Sequence, residues 1–402
     1  MKATWIVLSL ALVGMAAAQA PPPPKPAPKP AAKPAVQTTA KLATPAPPKL
    51  PAIMPEIPSL PISPPTDPSA KLPHVVLMSM GGTIASRATD RMNLTNYGSG
   101  PRVEPEDWLH DLPELQNLAH VTTDDMRSPK GRHDGGETWE DMRNVAKRLN
   151  ELAKDPDIDG FVVTHGTNTM AEVAYYMNLT VNTDKPIVFV GSQRPWSGIS
   201  SDGPINMYNA VRVAASPLAK GKGVLQCMNY DINTARDVTK TSAYRVQTFK
   251  AIDLGPIGFA DPDKVVFYRE PTRKHTTQSA FAGMDFAMLP PVEAFYAYSD
   301  APGYLIDAAV AHGVKGLVID GTGAGSLTGS ENDALKRAQL KGVIVVITTR
   351  TRGGRVQETP RRTERKMING DNLPPEKARL LLQLALTKTS DWKEIKKYFD
   401  EY

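Results

Sequence analysis

Residues 75–85 (VVLMSMGGTIA) decide how the chain folds. The first half is a short apolar run with β-branched residues, which predicts a buried strand. Gly81 and Gly82 follow, and glycines at the exit of a strand let the backbone turn sharply and approach a ligand closely. In open α/β sheets ligands bind outside the carboxyl ends of the strands, so Thr83 lies where a nucleophile would be useful. The same residues also fit a plain turn in which Thr83 caps a helix.

Strand-like and helix-like segments alternate from residue 74 onward, which predicts an α/β fold with a mostly parallel sheet flanked by helices. A less regular stretch from 229 to 288 interrupts this pattern before it resumes. We therefore predict a large N-terminal domain over residues 74–270, an interdomain linker over 271–290 and a smaller C-terminal α/β domain over 291–402. The expected strands include 117–123, 158–164, 187–190, 223–228, 292–296, 317–320 and 343–348, and the expected helices 137–154, 169–179, 205–215, 302–312, 330–341 and 375–386.

The N-terminus has the features of a secretory signal peptide over residues 1–20. Lys2 is followed by a short apolar run and then by Ala18-Gln19-Ala20, which fits a cleavage site. Residues 21–73 are rich in proline and are expected to form an extended, disordered spacer. These features predict a periplasmic or secreted protein without a transmembrane segment after cleavage, although an uncleaved anchor is the alternative.

Charge and cysteine content exclude several classes of function. The net charge is only +5, and the basic residues form no stripe interleaved with aromatic residues, so a nucleic-acid partner is not expected. Cys227 is the only cysteine, so an intrachain disulfide and a multi-cysteine metal site are impossible. The seven histidines are scattered, which disfavours a metal-binding helix.

A second strand end resembles the first. Residues 161–169 (FVVTHGTNT) again lead from a strand into Gly-Thr, which places Thr167 near Thr83. A threonine hydroxyl is a poor nucleophile until a base takes its proton. Lys240, among small polar residues, could act as that base if it is desolvated, and the phenol of Tyr97 could reach back to Thr83. Residues 321–325 (GTGAG) lack the spacing of a dinucleotide-binding loop.

Together these motifs resemble the bacterial-type L-asparaginase and glutaminase-asparaginase family, in particular its exported members. The resemblance runs from about residue 72 to the C-terminus. It is carried by residues 81–85 (GGTIA), 164–167 (THGT), 201–206 (SDGPIN), 237–241 (DVTKT) and 377–386 (KARLLLQLAL).

The resemblance implies a homotetramer built as a dimer of dimers, with each site between the large domain of one subunit and the small domain of its neighbour. It implies no metal and no organic cofactor. Hydrolysis of L-asparagine, and of L-glutamine as a second substrate, would proceed through a threonine acyl-enzyme. The implied catalytic residues are Thr83, Tyr97 on a mobile lid, Thr167 and Lys240. The implied substrate-binding residues are Thr123, Asp124, Asn168, Gly82 and Glu358.

Two departures from the family pattern affect substrate binding. The family has aspartate where this chain has Asn168, and it commonly has Gln or Glu where this chain has Asp124. We therefore expect the negative charge of the site to have moved to Asp124. The small-domain acid is also displaced, with Glu358 one residue from the aligned position. These departures leave open a non-catalytic amino-acid-binding relative, and the proline-rich spacer leaves open an amidase for larger amides on the cell surface.

Overall fold

The computed structural model describes residues 71–98, 100–127 and 138–402. The predicted signal peptide over 1–20, and the spacer up to residue 70, lie outside these ranges. The strands of the described residues are β1 (His74–Ser79), β2 (His120–Asp125), β3 (Gly160–Thr164), β4 (Ile187–Val190), β5 (Val224–Met228), β6 (Asp231–Thr234), β7 (Thr239–Lys240), β8 (Phe249–Lys250), β9 (Gly258–Ala260), β10 (Val265–Phe267), β11 (Val292–Tyr296), β12 (Gly316–Gly321), β13 (Ile344–Thr349) and β14 (Met367–Asn369).

Helices cover both faces of the sheets. They are α1 (Pro105–Asp111), α2 (Trp139–Leu152), α3 (Met170–Thr180), α4 (Gly203–Ala214), α5 (Tyr304–Ala311), α6 (Gly329–Leu340), α7 (Pro360–Glu364), α8 (Pro375–Leu386) and α9 (Trp392–Glu401). No helix in the described part of the chain is long and apolar enough to span a membrane.

The larger sheet has the strand order β10-β9-β6-β5-β4-β3-β1-β2. The five strands from β5 to β2 are parallel, and β6, β9 and β10 extend the sheet in antiparallel pairing. β1 pairs with β2 on one side and with β3 on the other, so the winding of the chain reverses between β1 and β3. Such a switch point leaves a crevice at the carboxyl ends of the two strands. Thr83 follows β1 and Thr167 follows β3, so the topology alone brings both residues to this crevice.

The central strands are apolar along their length because helices cover both of their faces. Every residue of β3 is buried, and so is every residue of β1 after His74. A near-continuous apolar run is typical of such strands in a parallel sheet. Gly160 allows the start of β3 to approach α4, since a Cβ at this position would lie 2.3 Å from the carbonyl oxygen of Ala214. The strands that flank the crevice are therefore held firmly.

A second, smaller sheet has the order β11-β12-β13-β14 and is parallel throughout. Helix α8 packs against β11, β12 and β13 and also against α3 of the first sheet. Its apolar residues are buried in a core that includes residues of both sheets. The predicted α/β fold, with a large mostly parallel sheet and a smaller α/β unit, is confirmed. The boundary at 271–290 stays a prediction.

Several local predictions were wrong. The strand expected at 117–123 is displaced, because a 3₁₀ turn over Pro113–Asn117 comes first and β2 runs from His120 to Asp125. The stretch 229–288 contains β6 to β10, which have two to four residues each and are too short to show a period. Helices α1, α7 and α9 and strand β14 were not predicted.

Candidate active site

The two Gly-Thr loops touch each other through their glycines. Gly82 has φ of +88°, and a Cβ there would lie 2.4 Å from the backbone nitrogen of Gly166. Only a glycine can adopt this conformation at such close range without strain. The contact fixes Thr83 and Thr167 on adjoining loops at the mouth of the switch point.

Thr83 is paired with the phenol of Tyr97. Thr83 begins a short 3₁₀ turn over Thr83–Ala85, and its Oγ1 lies 2.9 Å from the Tyr97 hydroxyl. The segment that carries Tyr97 leaves the sheet and returns, closed at its base by an antiparallel bridge between Ser86 and Arg102. The Tyr97 hydroxyl is therefore within hydrogen-bond distance of Thr83, the candidate nucleophile, and can exchange a proton with it.

Thr167 is paired with Lys240. Strand β7 carries Lys240, and its Nζ donates to Thr167 Oγ1 at 2.8 Å and to Asn168 Oδ1 at 3.2 Å. Burial lowers the pKa of the Lys240 ammonium below its ordinary value. Asn168 is an uncharged acceptor and so does not counteract this shift as a carboxylate would. Lys240 is thus suited to give and take a proton through Thr167.

These side chains line one open cavity of about 900 Å³ at the carboxyl ends of β1 and β3. Six of the predicted site residues are brought together there: Gly82, Thr83, Tyr97, Thr167, Asn168 and Lys240. The charged side chains that line the cavity within the described residues are Arg102, Arg127 and Lys240. Among the described lining residues there is thus no carboxylate that could pair with a cationic group of a ligand.

Thr123 and Asp124 are not among the described residues that line this cavity, and their role in substrate binding stays a prediction. They pair with Leu77 and Met78 in the register of β2 with β1, ahead of the strand ends. Thr123 Oγ1 donates to Glu106 at 2.9 Å. Asp124 forms a 2.7 Å ion pair with Arg148 Nε on α2. The move of negative charge to Asp124 stays a prediction, and in this structure that charge is paired with Arg148.

Glu358 lies on the smaller sheet's side of the chain, away from the cavity lining. It accepts a hydrogen bond from Thr363 Oγ1 at 2.9 Å and pairs with Lys396 at 3.4 Å. These partners lower the pKa of its carboxyl group. Within one chain Glu358 does not reach Thr83, so a role in substrate binding requires a second copy of the chain.

The sequence analysis missed several lining residues, and two of them, Arg127 and Gln193, follow strand ends. Gln193 follows β4, and the strand-end rule that found Thr83 and Thr167 could have found it. Arg127 follows the end of β2, which was placed too early. Its guanidinium donates to Asp125 at 2.8 Å and also pairs with Glu104, and these contacts raise the pKa of Arg127.

A buried carboxylate holds the turn that carries Gln193. Asp202 lies just before α4 and accepts from the backbone N–H of Gln193 at 3.0 Å and of Arg194 at 3.0 Å. It also accepts from Asn206 Nδ2 at 3.1 Å. Asp202 and Asn206 both belong to the SDGPIN motif, whose part in the molecule is therefore to fix this wall of the cavity.

Comparison with known proteins agrees with this geometry. Residues 74–273 match the model of the asparaginase N-terminal domain, and residues 291–399 match the glutaminase/asparaginase C-terminal domain. L-asparaginase 2 of Bacillus subtilis is 42% identical over 331 residues, which cover 82% of this chain and 87% of that protein.

A second relative and a solved structure show the same likeness. The probable periplasmic L-asparaginase of Haemophilus influenzae is 38% identical over 336 residues, which cover 83% of this chain and 94% of the relative. The crystal structure of a probable cytoplasmic L-asparaginase from Campylobacter jejuni matches with a TM-score of 0.78 at 37% identity, over 82% of this chain and all of that one. The chain therefore belongs to the asparaginase family of amidohydrolases.

Proposed function

We propose that the protein hydrolyses the side-chain amide of L-asparagine through an acyl-enzyme on Thr83. Thr83 Oγ1 forms a bond to the amide carbon, and its proton passes to the leaving nitrogen as the C–N bond breaks and ammonia departs. Water then adds to the ester carbon, Thr83 recovers its proton, and aspartate is released. L-glutamine is the corresponding longer substrate.

One observation carries this proposal: a single cavity holds a hydroxyl bonded to a phenol and a second hydroxyl bonded to a half-buried lysine. Tyr97 can accept or return the proton of Thr83. Thr167 and Lys240 can serve the same purpose on the other side of the substrate. Backbone N–H groups of the two Gly-Thr loops, which Gly82 brings together, would stabilise the oxyanion.

The test is ammonia release from L-asparagine by the wild type and by two variants of Thr83. Thr83→Val keeps the shape of the side chain but removes the hydroxyl, and we expect no release above background. Thr83→Ser keeps a hydroxyl and should retain measurable activity. Full activity of Thr83→Val would refute the nucleophile assignment.

We propose further that four copies assemble as a dimer of dimers and that Glu358 acts in the site of a neighbouring copy. The support is the family membership together with the distance of Glu358 from its own cavity. Light scattering should give the mass of a tetramer. Mixing and reassembling Thr83→Val with Glu358→Gln subunits should restore part of the activity if the two residues meet across an interface. Full activity of Glu358→Gln alone would contradict this role.

We also propose export, based on the features of residues 1–20. The mature protein should be found outside the cytoplasm, with its N-terminus at about Pro21. N-terminal sequencing of the purified fraction tests this, and a chain that retains Met1 in the cytoplasm would overturn it.

A second candidate, an amidase for larger or N-acylated amides, is favoured by the orientation of Asn168. Because Lys240 occupies Asn168 Oδ1, the amide NH₂ is left as the group that can meet a substrate. A donor does not suit the α-ammonium of a free amino acid, but it suits a carbonyl oxygen. Ammonia release from N-acetyl-L-asparagine, L-asparagine and L-glutamine separates the candidates. Binding of asparagine by calorimetry without ammonia release would instead indicate a non-catalytic relative.

A further inference from the structure

A fully buried lysine ties the smaller sheet's main helix to the strand that carries Lys240. Lys377 lies in the first turn of α8 and has no exposed surface. Its Nζ donates to three backbone carbonyl oxygens, those of Ala235 at 2.8 Å, Arg236 at 3.0 Å and Val238 at 2.5 Å. Val238 is two residues before Lys240. The mechanism proposed above makes no use of Lys377.

The three hydrogen bonds of Lys377 Nζ match its protonated form, the ammonium. An ammonium group has three N–H donors, and Lys377 finds three acceptors. A neutral amine has two N–H donors, so its formation leaves one of these buried carbonyls without its partner. An unpaired buried carbonyl is costly, and the backbone responds by moving toward water or another donor.

We propose that Lys377, as an ammonium, is the positioning residue for Lys240: it holds residues 235–238 against α8 and thereby sets the distance of Lys240 Nζ from Thr167. This inference rests on the proposed function for its kinetic meaning. Loss of the Lys377 proton relaxes the segment and weakens the Thr167–Lys240 contact. The geometry of the Thr167–Lys240 pair then depends on whether Lys377, which lies between the two sheets, is protonated.

The surroundings of Lys377 set where that proton is lost. Burial lowers the pKa of Lys377 to about 7, and nearby carboxylates oppose the shift. The titratable and charged groups that face it come from three elements, namely Glu376 on α8, Arg236 and Asp237 ahead of β7, and Glu172 and Tyr175 on α3. Lys377 is an ammonium below this pH and a neutral amine above it. The kcat should therefore fall as the pH rises above about 7.

The first test is the pH dependence of kcat and KM for Lys377→Met. We expect kcat to fall roughly tenfold with KM within about twofold, the size of one lost hydrogen bond in the transition state. The alkaline limb that begins near pH 7 in the wild type should disappear. Lys388→Met, at an exposed position just beyond α8, is the matched control and should behave as wild type. A Lys377→Met profile that overlays the wild-type profile after scaling would overturn the proposal.

A second variant covers the case in which Lys377→Met does not fold. The Glu376 side chain is 27% exposed and its charge raises the pKa of Lys377, so Glu376→Gln should move the alkaline limb to lower pH without changing kcat on the acid side of that limb. A limb that stays in place would contradict the proposal.

A readout that needs no catalysis separates this proposal from the proposed function. The rate at which an amine-selective reagent labels Lys240, followed by mass spectrometry at a pH below about 7 where Lys377 is an ammonium, reports the ionisation of Lys240. Lys240 should react faster than exposed lysines in the wild type and lose this advantage in Lys377→Met. Absence of ammonia release with this labelling pattern intact would reject the proposed function alone, and unchanged labelling would reject the positioning role.

Discussion

Replacing Asn168 by aspartate puts a carboxylate where an amide oxygen now lies 3.2 Å from Lys240 Nζ. A negative charge next to an ammonium favours the charged form, so the pKa of Lys240 should rise. At a separation of about 4 Å the interaction is worth about 1 kcal/mol in water and about 4 kcal/mol near a protein surface. Asn168 is exposed and Lys240 is half-buried, so solvent screening holds the effect to the lower part of this range.

This energy corresponds to a rise of about 1–2 pKa units for Lys240. Since the neutral lysine is the base, the acid limb of kcat/KM should move to higher pH by the same amount. The assay is ammonia release from L-asparagine across pH, with Asn168→Ala as a control that removes the acceptor without adding charge. The maximum value of kcat/KM reports on substrate binding, whereas the pH at which kcat/KM begins to fall on the acid side reports on the pKa of Lys240. An acid limb that stays in place or moves to lower pH in Asn168→Asp would refute the reasoning.

Three further predictions concern the neighbouring structure. Tyr97→Phe removes the phenol bonded to Thr83 and should lower kcat by about tenfold or more in steady-state assays, and an unchanged kcat would exclude Tyr97 from proton transfer. Gly82→Ala forces a side chain into a position with φ of +88° against the backbone of Gly166, so urea denaturation should show a loss of at least ~2 kcal/mol. Equal stability would mean that the two loops are not in contact. Burial raises the pKa of the Cys227 thiol to about 12, so thiol reagents at pH 8 should modify Cys227 only after unfolding. Rapid labelling of the native protein would contradict its burial.

The sequence predicted the central strands well because their burial on both faces leaves a plain apolar signal. β4 and β11 have the predicted bounds, and β1 and β3 differ by a few residues at most. β2 is less buried and consists mostly of polar residues (HVTTDD), so its end was misplaced by two residues. That misplacement left Arg127 unnoticed after the end of β2, whereas Thr123 and Asp124 were expected from the family resemblance.

The site could be predicted only in part, because its decisive contacts join distant residues. Thr83 and Thr167 follow from the rule about strand ends. The bond between Lys240 and Thr167 joins residues 73 apart, and that between Lys377 and Ala235 joins residues 142 apart. No local spacing indicates such contacts, and the DVTKT and KARLLLQLAL motifs gave no sign that one packs on the other.

The covalent role of Thr83 is tested most directly by trapping the acyl-enzyme. Wild-type protein is mixed with L-asparagine, quenched in acid within the first turnovers, digested and analysed by mass spectrometry, with Thr83→Val and Tyr97→Phe alongside. The proposed mechanism predicts an aspartyl ester on the peptide that contains Thr83, absent in Thr83→Val. An ester on Thr167, or full turnover by Thr83→Val without any ester, would contradict it.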